Sequence, residues 1–256
     1  MPTTWRDVTM GVLLLGLLCG AASAMPLAHS QLEFSNVQGQ DNWFYGFFNR
    51  TAAGASPYTP GNFVAFDTFN VARWEASDAL VGAQNNDFLS IDQFGGHPTG
   101  IGPAEQDSIL WTMRRYQSEV TGLVDIAFDL RKLNVVNSGG GGITGRIFVD
   151  GLEVFTQFIA NADGVGVQGV LTYAVTAGTF IDFAIDPTGV FPATGSDGPF
   201  SARADGSHFS AVLTTHVPEP AGLLLLGTGL LPLVWLARRR RQAAARLYTT
   251  LPARHI

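Results

Sequence analysis

Trp43, Tyr45, Trp74 and Trp111 are residues of the kind that lay an apolar face against a pyranose ring, and Asn42, Arg73 and His97 supply polar neighbours able to read hydroxyls. This is glycan-binding chemistry. A large aromatic in a β protein is equally suited to the core, where its N–H or O–H finds a partner. Packing is therefore the competing role for each.

Catalysis has less to work with. Glycoside hydrolysis needs two carboxylates a few ångströms apart, and a single chain does not show which of its acids converge. Asp125 and Asp129 alternate with apolar residues and read as a solvated strand face. No G-x-S-x-G elbow presents a serine to His97 or His208, and the five histidines are too scattered for zinc. A hydrolase ranks last, and no catalytic residue is assigned. Asp163 in "NADG", Asp186 in "IDPTG" and Asp197 in "GSDG" could offer oxygens to a structural calcium. Asx turns give the same composition and are preferred, so no cofactor beyond that calcium is expected. "NSGGGG", at 137–142, lacks the strand, lysine and helix of a phosphate loop.

The elements that must position these residues follow a period of two. "WFYGFF" begins at Trp43, "VARWE" covers 71–75, and "ILWTMRRY" covers 109–116. In "EVTGLVDIAFDL", 119–130, Val124, Ile126, Phe128 and Leu130 alternate with Asp125, Ala127 and Asp129, as in a half-buried antiparallel strand. "GRIFVDGLEVFTQFIA", 145–160, reads as a hairpin whose Asp150-Gly151 suits a type I′ turn. A second hairpin is expected around Ala177-Gly178, and a last strand in "SHFSAVLTTHV", 207–217. The Gly-, Pro- and Asn-rich stretch 49–103 suggests long loops between early strands. Arg114 and Arg115 are expected to pair with an acidic surface. With no amphipathic helix before Ala221, the class is all-β: an antiparallel β-sandwich ectodomain, 25–216, resembling a jelly roll.

Both ends read differently. Arg6, the apolar "GVLLLGLLCG" and "AASA" give 1–24 the three parts of a secretory signal peptide, expected as a helix cleaved after Ala24. The chain's one cysteine, Cys19, would leave with it, removing disulfides and thiol chemistry from the mature protein. The body carries about eight basic against about nineteen acidic side chains, so it has no basic face for nucleic acid. From Ala221 to Ala237 no residue is charged, and a helix of that length spans about 25 Å. That suffices for a single transmembrane helix with snorkelling flanks. Arg238, Arg239, Arg240 and Arg241 follow and fix their own side as cytoplasmic, with the tail 243–256.

Pro218 and Pro220 hold Glu219 in extended backbone just before that helix. Pro-Glu-Pro, an apolar glycine-containing helix and an arginine cluster, together covering 217–242, resemble the PEP-CTERM sorting signal of Gram-negative bacteria. The resemblance implies recognition of Pro218, Glu219 and Pro220 by an exosortase, and an inner-membrane precursor with a periplasmic body. Its destination would be the cell surface or extracellular matrix. The chain departs from the family pattern by continuing with "QAAARLYTTLPARHI". The body, from Leu32 to Thr215, resembles the galactose-binding-like jelly rolls that serve as carbohydrate-binding modules. Together these imply a non-enzymatic surface or matrix protein with a structural or interaction role, or alternatively a binding module for an extracellular polysaccharide.

Overall fold

Val124, Ile126, Phe128 and Leu130 are buried while Asp125, Ala127 and Asp129 between them remain partly exposed, and this two-sidedness organises the whole molecule. A computed structural model describes residues 24–82, 88–101, 108–135, 141–188 and 205–217. They belong to the compact unit Ala24–His216, apart from Val217. The expected signal peptide (Ala24 excepted), Asp197, the sorting motif Pro218–Pro220, the helix 221–237, Arg238–Arg241 and the tail lie outside the described residues. Among the described residues no helix is long and apolar enough to cross a membrane.

The strands are β1 (Pro26–His29), β2 (Trp43–Asn49), β3 (Val64–Ala65), β4 (Thr68–Asn70), β5 (Arg73–Glu75), β6 (Ser90–Asp92) and β7 (Gly95–His97). The longer β8 (Leu110–Gln117), β9 (Gly122–Lys132), β10 (Ile143–Val149), β11 (Leu152–Ile159), β12 (Val167–Val175), β13 (Phe180–Asp186) and β14 (Ser207–Thr215) follow. One-turn helices α1 (Arg50–Ala53) and α2 (Asp78–Val81) interrupt the first group. One sheet runs β12-β9-β14-β7-β6-β5-β4, with β1 also on β14; the other runs β11-β10-β13-β8-β2-β3. The pairings between named strands are antiparallel. The chain is an all-β antiparallel sandwich of jelly-roll-like topology.

The core lies between the sheets. Trp43, Tyr45 and Phe47 of β2 and Ile181, Phe183 and Ile185 of β13 meet the inward row of β9 and Phe209, Ala211 and Leu213 of β14. Phe183 and Phe209 cross edge to face at 5.7 Å. Arg114 is also inside, donating to the carbonyls of Ser30 (3.0 Å) and Asp92 (2.6 Å); burial pushes its guanidinium down to about 10.

Three expectations need correction. Ala177-Gly178 does not close a hairpin: β12 pairs with β9, whereas β13 lies between β10 and β8 in the other sheet. β13 is buried along nearly its whole length and so takes a neighbour on both edges, while the alternately exposed β12 sits at a sheet edge. The turn crosses between sheets, tied by the Gly178 N–H to the Ser118 carbonyl at 2.7 Å. The stretch 49–103 is not simply loop, since it carries β3 to β7. Arg114 and Arg115 are not surface residues; both are buried.

Candidate functional site

Alternation that sends Tyr116 of β8 inward sends Trp111, Met113 and Arg115 to the outer face of the six-stranded sheet. There Phe48, Tyr58, Trp111, Met113, Phe148 and Ala184 form a second apolar cluster, separate from the main core. Strand register assembles it: Phe48 faces Trp111, and Met113 faces Ala184. Tyr58 arrives differently. After β2 the Asn49 side chain caps α1 by accepting from the Ala52 N–H at 2.8 Å, and the following segment folds back across the sheet. Tyr58 packs on Phe48 at 5.2 Å and Phe148 at 4.8 Å.

A buried polar clasp fixes one end of this segment. Arg115 Nε donates to Asp182 Oδ1 at 2.7 Å, and the Tyr58 hydroxyl donates to Asp182 Oδ2 at 2.8 Å. Arg115 Nη2 donates to the Tyr58 hydroxyl at 2.7 Å, and its guanidinium lies between the rings of Phe63 and Phe180. Burial pushes the Asp182 carboxyl up against the pull of Arg115 and Tyr58, and pushes the Tyr58 hydroxyl up as well. Both Asp182 oxygens, the Tyr58 hydroxyl and Arg115 Nε and Nη2 are paired within the clasp, so its role is to hold Tyr58.

At the other end opens a cleft of about 790 Å³, bounded by the Arg50–Tyr58 segment, Trp111 and the β10–β11 hairpin. Arg146 is its hub. Its Nε donates to Asp186 Oδ2 at 3.1 Å, its Nη2 lies 3.0 Å from the same oxygen in an ion pair, and Nη1 donates to Glu153 at 3.0 Å. The guanidinium covers the Trp111 ring, 4.9 Å from its centroid, a cation–π contact. Asp186 Oδ1 accepts from the Thr188 hydroxyl and N–H at 2.5 and 2.9 Å. Burial pushes the Asp186 carboxyl up, opposed by Thr188 and Arg146. Trp111 is 6% exposed, stacked against Phe148 at 6.3 Å, and its Nε1 is buried with no hydrogen-bond partner among the described residues.

Of the residues singled out by sequence, Trp111 alone borders this cleft as an aromatic. Trp43 and Tyr45 are 0% exposed in the main core, where Trp43 Nε1 donates to Glu33 at 2.8 Å. Trp74 stacks on Tyr45 at 6.1 Å and donates to the Ser35 carbonyl. None of these three presents a ring face to a ligand, because the inter-sheet core takes both. His97 sits on β7, its Nδ1 2.7 Å from the Pro98 carbonyl; burial pushes the imidazole down to about 4. Arg73 pairs with its neighbour Glu75. Asp163 Oδ1 closes an Asx turn on the N–H groups of Val165 and Gly166 at 3.0 and 2.8 Å. Asp186 serves Arg146. Among the described residues no three His, Cys, Asp or Glu side chains gather as a metal site.

Sequence reasoning missed Tyr58, Arg146, Phe148 and Glu153. A signal existed for two of them: Arg146 and Phe148 lie two apart in "GRIFV", on the same face of a strand. Tyr58 carried none, being a loop aromatic between Pro57 and Pro60.

No protein-family model matches the sequence, and no curated protein matches it. Similar solved structures include a family 51 carbohydrate-binding module from Clostridium perfringens in complex with methyl-galactose: 14% identity, 47% of this chain and 81% of that chain, TM-score 0.27. A family 35 carbohydrate-binding module from Clostridium thermocellum is 12% identical over 77% of this chain and 100% of its own, TM-score 0.27. A cleaved adhesin domain of Lys-gingipain from Porphyromonas gingivalis is 9% identical over 75% of this chain and 100% of its own, TM-score 0.33.

Proposed function

We propose that the chain is an exported surface or matrix protein whose sandwich binds an extracellular polysaccharide in the cleft beside Trp111. The juxtaposition of aromatic walls, from Tyr58, Trp111 and Phe148, with the hydrogen-bonding groups of Arg146, Glu153 and Thr188 carries the reading. A sugar has the same division, apolar ring faces and a polar rim, and small-molecule sites are built from apolar walls with a few convergent polar groups. Asp186 and Glu153, the two carboxylates of the cleft, are bridged by one guanidinium rather than held apart across open space. That arrangement suits recognition better than acid–base hydrolysis.

The proposed route to the surface rests on the resemblance of 217–242 to a PEP-CTERM signal. Residues Pro218, Glu219 and Pro220 would meet an exosortase soon after β14 ends at Thr215. The binding reading is tested on an array of plant, bacterial and host polysaccharides probed with residues 25–215. Binding to at least one class is expected; no binding to any overturns it.

A further inference from the structure

The chain has a single lysine. Lys132 ends β9, and its Nζ lies 2.6 Å from Asp205 Oδ1 with both side chains 0% exposed. The fourteen other Lys or Arg positions are arginine, so the one side-chain amine of the body is spent in its interior. Two buried charges are an expensive way to join two strands, because desolvation offsets most of their attraction. An amine beside a carboxyl in a dry site has another outcome open to it.

We propose that Lys132 Nζ and Asp205 Cγ condense to an amide, an intramolecular isopeptide bond that ties the end of β9 to the start of β14. The proton shared along the 2.6 Å hydrogen bond passes from ammonium to carboxylate, leaving a neutral amine and a carboxylic acid. Nitrogen attacks Cγ, the Cγ–O bond to the hydroxyl breaks, and a second nitrogen proton departs with it as water. One N–H remains on the amide. No oxidant, reductant or co-reactant enters. Burial favours the reactive amine, pushing the Lys132 ammonium down while Asp205 pulls it back.

Backbone pairing holds the partners in place on both sides, the preorganisation such a reaction needs. Lys132 is the cross-strand partner of Ser207, and the Leu133 N–H donates to the Gly206 carbonyl at 3.0 Å. The Ser207 hydroxyl donates to the Asp205 carbonyl at 2.7 Å. β14 is the strand that continues into the C-terminal segment.

Intact-mass measurement and peptide mapping of the purified full-length chain test this. The expected mass is below that of the same chain ends by one water, about 18 Da. Peptide mapping should give a branched peptide joining the segments of Lys132 and Asp205, with no tryptic cleavage after Lys132. Lys132→Arg and Asp205→Ala should each restore the full mass, while Asp205→Asn should form the same link with loss of ammonia. A full mass in the folded wild-type chain, with cleavage after Lys132, overturns the proposal. So does a water deficit that survives Lys132→Arg without a branched peptide, the mark of a succinimide at Asp205-Gly206.

Discussion

Arg146 stands 4.9 Å over the ring of Trp111 while two of its nitrogens hold Asp186 Oδ2 at 3.0 to 3.1 Å. The side chain that shapes the cleft therefore also neutralises a carboxylate that is almost wholly buried. Removing it should cost about 3 kcal/mol, since breaking a buried pair strands the remaining charge. Urea unfolding of Arg146→Ala should show that loss. Adding Asp186→Asn in the same chain should recover more than half of it, a coupling that independent sites would not show.

The clasp around Asp182 predicts an unequal pair of variants. Asp182→Ala leaves Arg115 buried without its counter-ion and should cost about 3–5 kcal/mol. Tyr58→Phe keeps the ion pair and loses one hydroxyl, so about 1–2 kcal/mol is expected. Equal losses in denaturant unfolding would contradict the assignment of Tyr58 as the held element and Arg115–Asp182 as its anchor.

His97 sets the sign of one pH effect. Burial lowers its imidazole from the ordinary 6.5 to about 4, so the unfolded chain takes up the proton first. This contribution to stability is complete above about pH 6.5 and is lost as pH falls through the window down to about 4. His97→Gln should flatten that limb of the stability–pH curve, measured by denaturant midpoints across the window. A limb of unchanged slope would contradict a half-buried, neutral His97.

Parts of this architecture were written locally. The alternation of 124–130 predicted the two faces of β9. Asp150-Gly151 predicted the β10–β11 hairpin, and both residues adopt positive φ, 47° and 82°. Of the strands β3 to β7 only β5 was legible, inside "VARWE"; the others were not, because two or three residues hold no measurable period. The turn at Ala177-Gly178 looks like a hairpin locally, and only the burial of β13 on both faces sends it to the other sheet. The site divides the same way. Trp111 was visible as an aromatic in a strand, but Arg146 reaches it through the intervening β13, and Tyr58 meets Asp182 across 124 positions of sequence. Register over such distances is a tertiary fact.

Delivery is testable apart from binding. Changing Glu219 and Pro220 to alanine should leave the protein in the inner membrane of a host with an exosortase, followed by cell fractionation. Unchanged surface delivery would contradict the sorting role proposed for Pro218, Glu219 and Pro220.

The central claim is that a saccharide enters the cleft beside Trp111 and not the core. The three tryptophans of residues 25–215 report on this separately in a ¹H–¹⁵N NMR titration with a polysaccharide fragment bound on the array. The account predicts that the Trp111 indole resonance moves on saturation, while those of Trp43 and Trp74 stay in place. A titration that moves Trp43 or Trp74 and leaves Trp111 unchanged would contradict it.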